Sequence, residues 1–209
     1  MGSVADGEGG VMDSMPISSW RAALSGKAPL SVRKDDCYET PAVATNALMA
    51  VETLPEIIWE PACGPGAIVE VLRTMGKTVI ATDLVDYGCE NSIARRDFLM
   101  EQSAPDGCEA IVTNPPFKLA SEFVRHGLLL VPKVVLLLRL AFLEGTGRSD
   151  VIDGGKFARV HVFRNRLPRM HRRGWEGAEA TNTMAFAWFV WDRAHNGPTE
   201  MHRISWVPA

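Results

Sequence analysis

The sequence predicts an α/β domain built on a mostly parallel sheet, and two observations carry that expectation. Short apolar runs alternate with helical patterns along most of the chain, as they do when strands buried on both faces are joined by covering helices. Late in the chain two further runs follow one another with no helical pattern between them, which an antiparallel edge pair would explain.

The elements follow in order. Residues 1–15 are rich in Gly, Asp and Ser and offer little to bury, so they read as a flexible tail ahead of a single domain over 16–209. Thr40-Pro41 reads as a helix start, with threonine as the cap and proline in the first turn. Then come the strand IIWE at 57–60, a helix over 66–75, the strand TVIATD at 78–83 and the strand AIVTN at 110–114. A helix over 118–131 and the strand KVVLLLRL from Lys133 complete the alternating part. ARVHVF at 158–163 and MAFAWFVWD at 184–192 are the two late strands, and Trp188, Trp191 and Trp206 read as structural.

Composition excludes several classes. With 209 residues, 46% of them hydrophobic, the chain can bury a core without disulfides or a structural metal. The most apolar stretch, 127–143, is broken by Pro132, Lys133 and Arg139, so no uncharged run reaches the roughly 20 residues a bilayer requires. The four cysteines form no CxxC pair and the five histidines no HExxH spacing, so no metal is assigned. The start of the chain lacks a basic-then-apolar signal pattern, and a reducing cytoplasm is the expected location.

Chemistry concentrates at two strand ends. Glu60-Pro61-Ala62-Cys63-Gly64-Pro65-Gly66 lies between a strand and a helix, where glycines permit positive φ and let a ligand approach the backbone. A tight turn is the plain alternative. Asp83, just after the next strand, adds a carboxylate able to accept from both hydroxyls of a ribose. Loop and acid together suggest an adenosine-containing cofactor. Val69 stands where GxGxxG needs its third glycine, and no GKS or GKT is present, so dinucleotides and ATP fall behind.

Asn114-Pro115-Pro116-Phe117 ends the AIVT run at the carboxyl edge, where α/β sheets place their ligands. Prolines also simply terminate strands. Here the Asn114 amide oxygen and the Pro115 carbonyl offer two acceptors to one planar NH₂, and Phe117 offers a stacking face. An exocyclic base amine is a poor nucleophile because its lone pair is delocalised into the ring; two acceptors favour the pyramidal, nucleophilic form, a stabilisation aimed at the transition state. A base in a duplex would be flipped out to reach them.

Net charge is only -3, yet Lys156, Arg159, Arg164, Arg166, Arg169, Arg172 and Arg173 fall within one stretch that lacks Asp and Glu. Such a run is commonly a solvated loop; beside an amine pocket it suits phosphates, with Lys118 and with Trp175 as a stacking residue.

In one order, YETP, EPACGPG, ATDL, RRDF and NPPF resemble the motifs of the class I S-adenosylmethionine-dependent methyltransferases, most of all the DNA N6-adenine methyltransferases, over about residues 36–192. The resemblance implies a Rossmann-like seven-stranded sheet, order 3-2-1-4-5-7-6, mostly parallel with one antiparallel edge strand and helices on both faces. It implies S-adenosyl-L-methionine as cofactor, held by Tyr38, Thr40, Pro41, Glu60, Pro61, Ala62, Cys63, Gly64, Gly66, Asp83, Leu84, Asp97, Phe98 and Asn114. Asn114, Pro115, Pro116 and Phe117 would be catalytic, and Lys118, Arg164, Arg166, Arg169, Arg172, Arg173 and Trp175 would bind nucleic acid. Taken alone, Asp97 reads as a loop carboxylate and Phe98 as a core residue.

The sequence departs from that family in lacking a large target-recognition region, whose place the basic segment at 145–182 takes. Specificity would come from that segment, from a second copy of the chain or from a partner subunit. The implied reaction is methylation of adenine N6 in DNA. The same chemistry on RNA adenine or guanine, methylation of a protein glutamine amide, and a noncatalytic nucleic-acid-binding module are the alternatives.

Overall fold

The computed structural model describes residues 38–170 and 183–207. Its strands are β1 (Ile57–Glu60), β2 (Thr78–Thr82), β3 (Ser92–Ile93), β4 (Ala110–Thr113), β5 (Lys133–Arg139), β6 (Phe157–Phe163), β7 (Phe186–Asp192) and β8 (Glu200–Ile204). Its helices are α1 (Ala42–Met49), α2 (Ala67–Thr74), α3 (Ala120–Leu130) and the single turn α4 (Ser149–Ile152). The strands form one sheet in the order β3-β2-β1-β4-β5-β7-β6-β8. Pairing is parallel from β3 through β5, and β7 runs antiparallel to both β5 and β6.

Two features of the expected sheet are corrected. It has eight strands rather than seven, because β8 adds to β6 in parallel beyond the expected order. The antiparallel strand is interior, not an edge. The reason lies in its side chains: Phe186 through Trp191 are all buried, so β7 needs a core on each face and a partner on each side. The outer position falls to Glu200–Ile204, where only Ile204 is buried, and a polar strand is the kind an exposed edge tolerates.

Alternation along the strands divides the interior into two layers. Val135 and Leu137 of β5 join Phe186, Trp188 and Val190 of β7 under α1 and α2. Val134, Leu136 and Leu138 join Ala187, Phe189 and Trp191 under α3 and α4. Helices therefore cover both faces. The indoles lock these layers together: Trp188 Nε1 donates to the Ala44 carbonyl at 2.8 Å, and Trp191 Nε1 to that of Val151 at 2.6 Å. Each buries a large ring without stranding its N–H. No helix among the described residues is long and apolar enough to cross a membrane.

The amino-terminal edge is closed by charge. Glu52, 6% exposed, accepts from Lys133 Nζ at 3.0 Å, from Arg159 Nε and Nη2 at 2.8 Å each, and lies 3.1 Å from His161 Nε2. Asp192 stands 3.6 Å from Lys133 and 3.8 Å from Arg159. Burial alone would raise the Glu52 pKa, but the hydrogen bonds from His161, Arg159 and Lys133 outweigh it and hold the carboxyl well below the usual range.

The folded pKa is thus below the unfolded value of about 4.3. Stabilisation is complete above the unfolded value and is lost as pH falls toward the folded one. Glu52→Gln, which removes the buried carboxylate that Lys133 and Arg159 share, is expected to lower the unfolding free energy by about 3 kcal/mol at neutral pH. Urea unfolding should show that difference shrinking below about pH 4.

Candidate active site at the carboxyl edge of the sheet

The opposite edge carries the glycine loop. After β1 ends at Glu60 the chain turns sharply, with Gly64 at φ +53° and Gly66 at φ +99°. Cys63 N donates to the Thr82 carbonyl at 3.1 Å, which holds the loop against the end of β2. Asp83 braces it further. One carboxylate oxygen accepts from Gly64 N at 2.8 Å and the other from Val85 N at 2.9 Å. Each oxygen has two lone pairs, so the carboxylate keeps room for another donor. Burial raises its pKa against these N–H contacts.

Glu60 is the most unusual group in the loop. It is 2% exposed, and its Oε2 has no hydrogen-bond partner among the described residues. Burial, then the nearby negative Asp83, pushes its pKa well above the usual carboxylate value, while the Val69 N–H pulls the other way. A buried acceptor left unpaired is costly unless something completes it. Pro61 is buried, Ala62 is half-buried, and the buried Cys63 thiol is pushed up by desolvation beside Cys89. Leu84 is 36% exposed and Val85 is exposed beside it, so apolar surface faces solvent directly after β2.

The second strand end is equally specific. Asn114 follows β4, and its Nδ2 donates to Thr40 Oγ1 at 3.1 Å and approaches Met170 Sδ at 3.8 Å. A thioether sulfur only accepts, so the NH₂ end of the amide belongs on that side. Asn114 Oδ1 is buried and has no hydrogen-bond partner among the described residues. Pro115 is buried, and Pro116 leads into a 3₁₀ turn at Phe117–Leu119. The half-buried Phe117 ring lies 6.4 Å from Tyr38 in a stacked arrangement and 6.0 Å from Phe186. Arg139, the last residue of β5, places its guanidinium carbon 4.4 Å from the Phe117 ring centroid.

The expected residues do not all converge. Tyr38, Thr40, Asn114 and Phe117 meet at one corner. Helix α1 begins at Ala42 with Pro41 as its cap residue, and no side chain caps it, so the expected threonine cap is corrected. The Thr40 hydroxyl is committed to Asn114 instead. Asp97 is exposed and caps the short turn at Phe98–Met100 through Leu99 N. Phe98 is 3% exposed and packs among Trp59, Phe123 and His126, so the structure places its ring in the core.

The basic segment divides between the two edges. Lys156 donates to the His195 carbonyl and Arg159 to Glu52, both at the amino-terminal edge. Beyond β6 the chain emerges at the carboxyl edge, where Leu167 and Met170 are buried while Arg164, Arg166 and Arg169 are exposed. Apolar anchors thus hold this stretch beside Asn114 with its cations outward. Lys118 is exposed next to Phe117. Arg172, Arg173 and Trp175 lie outside the described residues. Arg139 carried no signal in the sequence beyond a charge ending an apolar run.

No protein-family model and no curated protein matches the sequence. Solved structures do share the fold. The chain aligns with a provisionally assigned RNA methyltransferase from Pyrococcus horikoshii at TM-score 0.54 and 12% identity, over 85% of this chain and 98% of that one. It aligns with a chain of a type I restriction–modification system at TM-score 0.51 and 17% identity, over 81% of this chain. It spans 45% of that second protein's length. The architecture is the Rossmann-like α/β fold that these structures share.

The loop geometry is open to a direct test at Gly66. A Cβ there would lie 2.8 Å from Cys89 Sγ on a backbone at φ +99°. Gly66→Ala should cost about 1–3 kcal/mol. Adding Cys89→Ala should recover the contact but not the backbone strain, so thermal unfolding of the double variant should show partial coupling.

Proposed function

We propose that the chain transfers a methyl group from S-adenosyl-L-methionine to the exocyclic amine of a nucleic-acid base, with N6 of adenine in DNA as the substrate atom. One observation carries the reading: a buried amide oxygen, Asn114 Oδ1, held unpaired at the carboxyl edge beside an aromatic ring. An amine hydrogen is the partner it lacks.

The residues present fit the cofactor. Gly64 and Gly66 keep side chains away from the loop, Asp83 retains acceptor capacity for ribose hydroxyls, and buried Glu60 holds a carboxyl oxygen with no partner among the described residues. Leu84 adds exposed apolar surface suited to a heteroaromatic ring. When bound, S-adenosyl-L-methionine supplies an electrophilic methyl group on a positively charged sulfur. Asn114 Oδ1 and the Pro115 carbonyl accept the two amine hydrogens and draw the nitrogen lone pair out of conjugation. The nitrogen lone pair would form the bond to the methyl carbon as the sulfur–methyl bond breaks and leaves its electron pair on the neutral thioether sulfur; the cationic nitrogen would then release a proton to solvent, with no strong base needed beforehand. Phe117 stacks on the base, while Arg164, Arg166, Arg169 and Lys118 provide the phosphate-facing charge, which Arg172, Arg173 and Trp175 would extend.

The same chemistry on RNA is the second reading, prompted by the name of the Pyrococcus protein, which this chain matches over nearly its whole length. The NPPF corner serves either polymer.

Asn114→Ala should lower turnover at least ~10²-fold, in line with loss of one preorganised transition-state contact. Thr40→Val, which keeps the volume but releases the amide, should cost about 10-fold in turnover with little change in cofactor affinity. Labelled methyl transfer to an adenine-containing oligonucleotide measures both. A folded Asn114→Ala protein with wild-type turnover would refute the reading.

A further inference from the structure

Arg139 occupies the position where a stacked base is expected. It ends β5 opposite Phe186 in the sheet register, it is exposed, and it makes no ion pair among the described residues. Its guanidinium lies 4.4 Å from the Phe117 ring centroid, while Tyr38 and Phe186 pack against the same ring. A guanidinium without a carboxylate, resting on an aromatic ring at the mouth of a proposed base pocket, has somewhere better to go. An exposed cation–π contact is weaker than a base stacked on the same ring, and arginine pairs with phosphate through a planar fork.

We propose that Arg139 determines specificity for nucleotides: it covers Phe117 until a base arrives, then yields that surface and pairs with the phosphate of the incoming nucleotide. The exchange replaces one contact of the guanidinium with a stronger one only when the substrate carries a phosphate. A phosphate-free nucleoside or a peptide amide would have to displace Arg139 without giving it a partner. The pocket is thereby biased toward a nucleotide within a polymer. This inference rests on the nucleic-acid reading above and deepens it.

The test is binding of an end-labelled, adenine-containing oligonucleotide and of adenosine by wild type, Arg139→Ala and Arg139→Lys across a salt series, with labelled methyl transfer to the same oligonucleotide measured in parallel. Arg139→Ala should weaken oligonucleotide binding about 10-fold at low salt and reduce the slope of log Kd against log salt by about 0.7–0.9, the loss of one phosphate contact. The same variant should bind adenosine about two- to five-fold more tightly, because the ring is uncovered. Arg139→Lys should keep the salt slope and lose part of the affinity.

An unchanged slope, or adenosine binding weakened as much as oligonucleotide binding, would overturn the proposal and leave Arg139 a support for Phe117. Wild-type protein that binds the oligonucleotide without methylating it would defeat the catalytic reading alone, with Arg139 still judged by the slope. Wild-type protein that binds no oligonucleotide at any salt would defeat both.

Discussion

The hydrogen bond from Asn114 to Thr40 is the contact on which the carboxyl edge depends. It joins residues 74 positions apart and fixes an amide that would otherwise rotate freely at the end of β4. Its consequences spread in three directions. The Thr40 hydroxyl is held by the amide, Met170 Sδ lies within reach of the same NH₂, and Asn114 Oδ1 is buried with no partner among the described residues. Leaving such an atom unpaired costs stability, a cost that the proposed role of accepting a substrate amine hydrogen would offset.

The two edges of the sheet answer the problem of buried polarity in opposite ways. At the amino-terminal edge Glu52 has a full set of partners, and its ionised form is stabilised by three of them. At the carboxyl edge Glu60 is pushed toward its neutral form by burial and by Asp83, and one of its oxygens is unpaired. Each buried polar group left without a partner costs stability, so Glu60 Oε2 and Asn114 Oδ1, which lie beside the glycine loop and the Asn-Pro-Pro-Phe turn, are the candidates for completion by a ligand. The contrast supports the proposed site on the side where α/β sheets generally bind.

Much of this was legible in the sequence because it is local. The runs IIWE, AIVT and KVVLLLR become β1, β4 and β5 with ends at or beside those expected, since each is apolar throughout and buried on both faces. The glycine loop and NPPF follow strands directly, so their edge was readable too. What escaped was set by distance or by weak patterning. Ser92–Ile93 is too short to show a period, and EMHRI buries only its last residue, so neither announced a strand. The interior place of β7 follows from β5 and β6 pairing on its two sides, which the expected strand order already implied, while the added edge strand β8 was not legible. Glu52 meets partners 81 to 109 residues away, and Arg139 finds Phe117 only through the fold. Threonine before proline reads as a cap, but the helix begins one residue later, with Pro41 in the cap position, and Thr40 meets Asn114 instead.

The most direct measurement offers DNA, RNA and protein in parallel with methyl-labelled S-adenosyl-L-methionine and identifies the modified product after hydrolysis. The account expects label in DNA, recovered as N6-methyladenine. Label in RNA alone would move the same chemistry to another polymer, and label only in protein would contradict the assignment of the pocket to a nucleic-acid base.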